Sequence, residues 1–161
     1  MLLIFLSIAY ATAQSKWYIS PSGSFTAFTD GKGVVTAALT AGYYVGQNDE
    51  IRIDLRGDCL FHDNNEKLFS VAVLVSTETP LNIFSLNRFF TDSSIGIGVL
   101  SPFSGASGAK FIDVIFPIKS GLGYRITDKI SIGTELSYTI NASKFKERSI
   151  FSVGINVGIR F

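Results

Sequence analysis

The sequence is poor in the residues that build metal and disulfide sites. Its 161 residues include one Cys and one His, which excludes an intramolecular disulfide framework and a Cys-rich zinc site. Charged residues make up 17%, against ~25% in soluble domains. The 14 Lys and Arg nearly balance the 13 Asp and Glu, so no bulk positive charge favours a nucleic-acid partner. We expect no nucleic acid, no metal and no cofactor.

Long hydrophobic runs are also scarce. The clearest covers residues 2–11, LLIFLSIAYA, and Ala-Thr-Ala follows at 11–13. The run is too short to span a membrane, which takes ~20 apolar residues, and the small residues fit a signal-peptidase cleavage site. We therefore predict a signal peptide at 1–13 and one domain at 14–161. The alternative is a first strand or helix buried in a cytosolic domain.

Alternation with a period of two dominates the rest of the chain, as in β-strands. In 150–161 one face is apolar throughout, while the other holds mainly Gly, Ser, Asn and Arg; the apolar set is Phe151, Val153, Ile155, Val157, Ile159 and Phe161. A helix would scatter these residues around its circumference. Eight segments alternate in this way: 16–28, 34–46, 51–59, 67–79, 94–103, 112–126, 130–140 and 150–161. Residues 80–92 fit neither a strand nor a turn clearly.

The composition of the polar faces indicates which face meets solvent. They are rich in Gly and Ser with isolated charges, whereas a solvated outer face carries many Lys and Glu and few Gly. Small residues suit the crowded interior of a small barrel, and aromatic residues gather near both predicted rims, as at membrane interfaces. We predict an all-β fold, an eight-stranded antiparallel up-and-down transmembrane β-barrel. The alternative is a soluble, lipocalin-like barrel that binds an apolar ligand.

The predicted inward positions carry charges that would need partners inside the barrel. We expect them to form an ion-pair cluster in the lumen, whose members are Arg52, Asp54, Arg56, Asp58, Lys119, Arg125, Glu135 and Arg160. Side chains that interlock in this way would block steady ion flow. The excess of five cations over three anions in this set leaves a narrow anion-selective leak as the alternative.

The C-terminal stretch GLGYRITDKISIGTELSYTI…FSVGINVGIRF resembles the last strands of small bacterial outer-membrane barrels of the OmpA/OmpX/OmpW-like kind. The resemblance implies an outer-membrane location with both termini in the periplasm and contact with outer-membrane lipids. It also implies that Phe161 is an insertion signal read by the barrel-assembly machinery. Membership of a larger envelope complex stays open.

Some barrels of this kind modify lipid A or phospholipids, so an enzyme is the main functional alternative. The His-x-Ser pattern of lipid A deacylases fails here, because the sole histidine, His62, is followed two residues later by Asn64. A palmitoyltransferase-like site would have to recruit His62 with Asp63 and a loop serine. We predict no catalytic residues and a structural or surface-interaction role.

Overall fold

The computed structural model describes residues 16–28, 33–45, 50–61, 67–81, 88–102, 112–142 and 149–161. Their regular structure consists of eight strands: β1 (Trp17–Phe28), β2 (Gly33–Val45), β3 (Ile51–Phe61), β4 (Lys67–Pro80), β5 (Phe89–Pro102), β6 (Asp113–Arg125), β7 (Ile130–Asn141) and β8 (Ile150–Arg160). No helix in these ranges is long and apolar enough to cross a membrane. The predicted signal peptide at 1–13 lies outside the described residues.

The strands form a closed barrel. Each strand pairs antiparallel with its sequence neighbours, and β1 pairs with β8. A path that starts at Ile51 and steps from each residue to its register partner on the next strand returns to β3 at Phe61. The end of this path is ten residues further along β3 than its start. This stagger corresponds to strands tilted by roughly 40° to the barrel axis. The prediction of an all-β, eight-stranded antiparallel up-and-down barrel is confirmed.

Strands β4 and β5 include the two ends of the unassigned segment 80–92, whereas residues 82–87 lie outside the described residues. β4 continues to Pro80 and β5 begins at Phe89, five residues before the predicted start at 94. Hydroxyl side chains on the outward face, such as Thr91 and Ser93, hide the strand because they interrupt its apolar alternation. The other predicted strand limits agree with the structure to within two residues.

The apolar faces of the strands point away from the barrel axis. Ile155, Ile95 and Val35 are 64%, 60% and 62% exposed, whereas inward-facing Tyr44 and Asp54 are only 1% and 2% exposed. A lipocalin-like barrel has the opposite arrangement, with apolar residues inside. The outer surface is therefore an apolar belt and the lumen holds the charged groups, as in transmembrane barrels.

Aromatic residues lie at the rims, but several of them point inward instead of into a girdle. The rim at which β1 begins and β8 ends, here the turn-side rim, carries the outward pairs Trp17–Tyr43 and Phe89–Tyr124, with ring centroids 5.1 and 5.0 Å apart. Tyr18, which follows Trp17 in the sequence, instead faces the lumen and is 7% exposed. Phe28, at the opposite, loop-side rim, is also buried inside. Strand ends in the sequence place Tyr18, Phe28, Phe103 and Phe111 among the girdle aromatics. This prediction is wrong for Tyr18 and Phe28, and Phe103 and Phe111 lie outside the described residues.

The loop-side half of the lumen has an apolar core, which the expectation of small and polar inner faces missed. Six buried side chains pack together there: Phe28, Val34, Leu60, Leu100, Ile115 and Ile150. These residues close the barrel by side-chain packing. The charged groups lie deeper, towards the turn-side rim.

Candidate functional site: the charged lumen

Alternation along β3 places four charges inside the barrel. Its outward positions, including Ile51, Ile53 and Leu55, are exposed. The four residues between and after them face the lumen: Arg52, Asp54, Arg56 and Asp58. Lys119, Arg125, Glu135 and Arg160 come inward from β6, β7 and β8. The structure brings these eight residues into two separate clusters rather than one.

The first, the turn-side cluster, consists of Arg52, Asp54, Glu78, Asp92, Arg125 and Arg160. Arg52 Nε donates to Asp54 Oδ1 at 2.6 Å, and Arg52 Nη2 donates to Asp92 Oδ2 at 3.0 Å. The other oxygen of Asp54 accepts a hydrogen bond from Ser76 at 2.5 Å. Arg52, Asp54 and Glu78 are almost fully buried, so each of these charges depends on its partners for stabilisation. The side chains of Asp92, Arg125 and Arg160 are partly exposed.

Glu78 is the centre of the turn-side cluster. It forms an ion pair with Arg125, and its Oε2 lies 3.4 Å from Arg160 Nη2 and 3.9 Å from Arg52 Nη1. The phenol of Tyr44 donates a hydrogen bond to the same oxygen at 2.8 Å. One carboxylate on β4 therefore gathers guanidinium groups from β3, β6 and β8.

Inward-facing tyrosines pack against these guanidinium groups. The Arg52 guanidinium carbon lies 3.9 Å from the ring centre of Tyr18, and that of Arg160 lies 4.2 Å from the ring centre of Tyr44. Both distances are within the ~6 Å range of cation–π attraction. Gly42 leaves room for this arrangement, because a Cβ there would overlap Asp54 Oδ1.

The second, the mid-barrel cluster, consists of Arg56, Asp58, Lys119 and Glu135. Arg56 Nε donates to Asp58 Oδ1 at 2.7 Å, and Arg56 Nη1 donates to Glu135 Oε2 at 3.1 Å. Glu135 Oε1 lies 2.8 Å from Arg56 Nη2 at an ion-pair distance, although the angle does not make this contact a hydrogen bond. Lys119 Nζ lies 2.9 Å from Glu135 Oε2.

Each cluster is balanced in formal charge. Three arginines face three carboxylates in the turn-side cluster, and two cations face two carboxylates in the mid-barrel cluster. The expected cationic excess is wrong, because sequence reasoning missed Glu78 and Asp92. Extending the alternation of β4 beyond Val75 would have found Glu78. Asp113, 4% exposed, is a further inward carboxylate at the loop-side end.

A small cavity lies between the mid-barrel cluster and the apolar core. Its volume is about 40 Å³, and its walls include Arg56 and Lys119 on one side and Leu60, Leu100 and Ile150 on the other. Such a volume holds a few water molecules. Two cavities of about 20 Å³ each lie further towards the turn-side rim. All are too small for a lipid or sugar substrate.

The charged residues of the two lumen clusters lie within ion-pairing distance of residues of opposite charge. In the described ranges, no group of three or more His, Cys, Asp or Glu side chains could hold a metal ion. The prediction about His62 and Asp63 concerns residues outside the described ranges. Cys59 is exposed on the outward apolar face, away from the buried charges.

Comparison with solved structures identifies the same barrel in other proteins. Neisserial surface protein A has a TM-score of 0.65 at 12% identity, over 93% of this chain and 100% of that chain. The N-terminal β-barrel domain of Pseudomonas aeruginosa OprF has a TM-score of 0.66 at 13% identity, over 92% and 100%. The outer membrane enzyme PagL has a TM-score of 0.58 at 14% identity, over 88% and 99%. No protein-family model and no curated protein matches the sequence.

The similarity extends over nearly the whole of both chains in all three comparisons. At this level of identity it shows the fold, which is that of the small eight-stranded outer-membrane barrels with an OmpA/OmpX-like architecture. The same fold carries a surface protein and an enzyme, so the fold alone does not assign an activity.

Proposed function

We propose that this chain is an integral outer-membrane β-barrel with a structural or surface-interaction role and without catalysis. The observation that carries the proposal is the combination of an apolar outer belt with a lumen closed by two charge-balanced clusters. An apolar exterior needs lipid around it. A lumen filled by interlocked side chains leaves the rims and loops as the parts that meet other molecules.

We infer the orientation from the connections between strands, which are 5, 8 and 4 residues long at the turn-side rim and 4, 5, 10 and 8 residues long at the loop-side rim. β1 begins and β8 ends at the turn-side rim, where β2, β4 and β6 also end. Outer-membrane barrels have short periplasmic turns and longer extracellular loops, so we assign the turn-side rim to the periplasm. Outer-membrane lipids are then the main partner, the barrel-assembly machinery acts during insertion, and a larger envelope complex would dock at a rim.

Charge balance within the lumen argues against a transport role. Eight strands enclose an interior just wide enough for side chains, and here ion pairs cross it at two levels. Neither cluster carries the net charge that would select anions or cations. The proposed barrel is therefore a closed scaffold rather than a pore.

Cell fractionation tests the location, and a lipid assay tests the absence of catalysis. We expect recovery in the outer-membrane fraction, with a folded band that shifts on heating in gel electrophoresis. Recovery in the soluble periplasm would contradict the proposal. The purified barrel incubated with lipid A and with phospholipids should leave both unchanged. Product formation that disappears in His62→Ala would favour the enzyme alternative, since PagL shows that this fold supports an enzyme.

A further inference from the structure

The outer belt of the barrel is polar on one side only. Six hydroxyl residues face outward on β4, β5, β6 and β7 and together form what we term the hydroxyl patch: Thr77, Thr79, Thr91, Ser93, Ser120 and Thr134. Outward Leu122, the register partner of both Thr91 and Thr134, lies among them. Direct register partners within it are Thr77 with Ser93, Thr79 with Thr91, and Ser93 with Ser120. On β8, β1, β2 and β3 the outward positions at the same height are apolar.

The patch shortens the apolar belt on β4 and β5. On β6 and β7 it only interrupts the belt, because outward Leu122 and Ile132 lie between the hydroxyl residue and the turn-side rim. On β5 the outward apolar residues run from Ile95 to Val99, and on β8 they run from Phe151 to Ile159. A strand tilted by roughly 40° rises about 2.5 Å per residue along the barrel axis. The belt is therefore about 10 Å high at β5 and about 20 Å high at β8. β5 and β1, the neighbour of β8, lie on opposite sides of the eight-strand ring.

The position of the patch points to lipid headgroups and water as its contacts. The patch is continuous with the turn-side rim, since Thr79 directly precedes Pro80, the last residue of β4. The Thr77 and Thr134 hydroxyls donate to backbone carbonyls of Ser93 and Leu122, both at 3.4 Å. Each hydroxyl oxygen keeps acceptor capacity, which hydrocarbon cannot satisfy.

The size of the patch argues against a second copy of the chain as its cover. Six small side chains on four adjacent strands cover on the order of 200 Å², whereas a stable interface buries about 800 Å² on each partner. A belt shorter than the surrounding hydrocarbon is instead accommodated by thinning of the bilayer.

We propose that the β4–β5 side of this barrel thins the periplasmic leaflet of the surrounding membrane, so that headgroups and water reach the hydroxyl patch. The inference rests on the proposed membrane insertion. It assigns a local function to one side of the barrel: a boundary at which the outer membrane is thinner and its lipids are less ordered.

Folding into vesicles of different thickness tests the proposal. Wild type is compared with the variant Thr77→Val, Thr79→Val, Thr91→Val, Ser93→Ala, Ser120→Ala and Thr134→Val, which removes hydroxyls with little change in shape. The folded fraction is measured by gel shift in saturated phosphatidylcholine vesicles from short to long acyl chains. We expect the ratio of thin-bilayer to thick-bilayer folding to be at least about threefold higher for wild type.

The matched control adds hydroxyls on the far side at similar heights, with Ile19→Thr and Val157→Thr. This control should increase the preference for thin bilayers beyond that of wild type. Equal chain-length dependence of wild type and the hydroxyl-free variant would overturn the thinning proposal while insertion itself stands. A wild-type dimer in sedimentation experiments that the variant loses would overturn it in favour of a second copy. Failure of wild type to insert into any vesicle would overturn the proposed function as well.

Discussion

Arg56 and Glu135 meet across the full width of the barrel. They belong to β3 and β7, four strands apart in a ring of eight, yet Arg56 Nη2 lies 2.8 Å from Glu135 Oε1. Glu78 on β4 and Arg160 on β8 are opposite in the same way, at 3.4 Å. The lumen is thus crossed by ion pairs at two levels, and each crossing obstructs the path that an ion would follow.

Removal of one member of the mid-barrel cluster should destabilise the barrel. Glu135→Ala removes the carboxylate that pairs with Lys119 and leaves Arg56 paired only with Asp58. Breaking a buried pair costs about 3–5 kcal/mol. Adding Lys119→Ala should recover part of that loss, which a double-mutant cycle of urea unfolding in vesicles measures. Glu50→Ala, an exposed control, should have little effect. Additive losses in the double variant would contradict the pairing.

The wild-type barrel should show no long-lived open steps in planar-bilayer recordings. Steady steps in the purified wild type would refute the closed lumen. The double variant Arg56→Ala/Glu135→Ala removes one cross-lumen contact without changing the net charge, so we expect more frequent brief openings than in wild type. Because the clusters are charge-balanced, these openings should not strongly prefer anions.

Gly42 and Gly23 should respond differently to a methyl group. A Cβ at Gly42 would overlap Asp54 Oδ1 and approach Arg52 Cδ to 2.9 Å, whereas nothing lies within 4 Å of a Cβ at Gly23. Gly42→Ala should therefore cost about 1–3 kcal/mol of unfolding free energy through overpacking. Gly23→Ala should change it by about 0.5 kcal/mol or less. Equal effects would show that the turn-side cluster tolerates rearrangement.

A charge on the outer belt should be costly at mid-height. Ile155 is 64% exposed and lies midway between Phe151 and Ile159 on the outward face of β8. Ile155→Arg should reduce the unfolding free energy in vesicles by about 2–4 kcal/mol, with a smaller loss for Val157→Arg nearer the rim. Asn156→Arg is the control, because residue 156 faces a lumen cavity with Asp92 and Glu135. Wild-type insertion of Ile155→Arg would contradict an outward apolar belt set in lipid.

Phe161 should affect assembly in cells more than the stability of the finished barrel. The residue is 51% exposed, and its backbone N–H donates to the Trp17 carbonyl at 3.0 Å. Deleting it should lower the amount of assembled protein in the outer membrane, while refolding from denaturant into detergent stays nearly unchanged. Phe151→Ala, at the other end of β8, is the matched control. Equal cellular levels of the deletion and wild type would remove the insertion-signal role.

Period-two alternation predicted the fold because the side chains of a strand point alternately to its two faces. A shift of one residue in register would turn the whole apolar face inward, so the pattern specifies which residues face outward. It worked best for β8, where every outward residue is apolar, and on β3, where charges alternate with Ile51, Ile53 and Leu55. It failed at the β4–β5 hairpin, because outward Thr91 and Ser93 look like loop residues. The same gap hid Asp92 from the sequence-based lumen set.

The arrangement inside the lumen could not be predicted from alternation. The pattern assigns a side chain to a face, but the partners of Arg56 depend on which strands lie opposite each other and on the ten-residue stagger of the ring. The apolar core around Leu60 and Ile115 was missed for a related reason. Residues that are apolar on both faces of a strand end carry no alternation signal.

Pairing of β1 with β8 makes the first and last strands neighbours, so the ring cannot close until β8 has been synthesised. Before closure, both strands would present unpaired N–H and C=O groups, which invite pairing with other chains. Contacts between such distant parts of a chain also slow folding. A chaperone that shields these two edges would therefore protect this chain most in the interval before the ring closes.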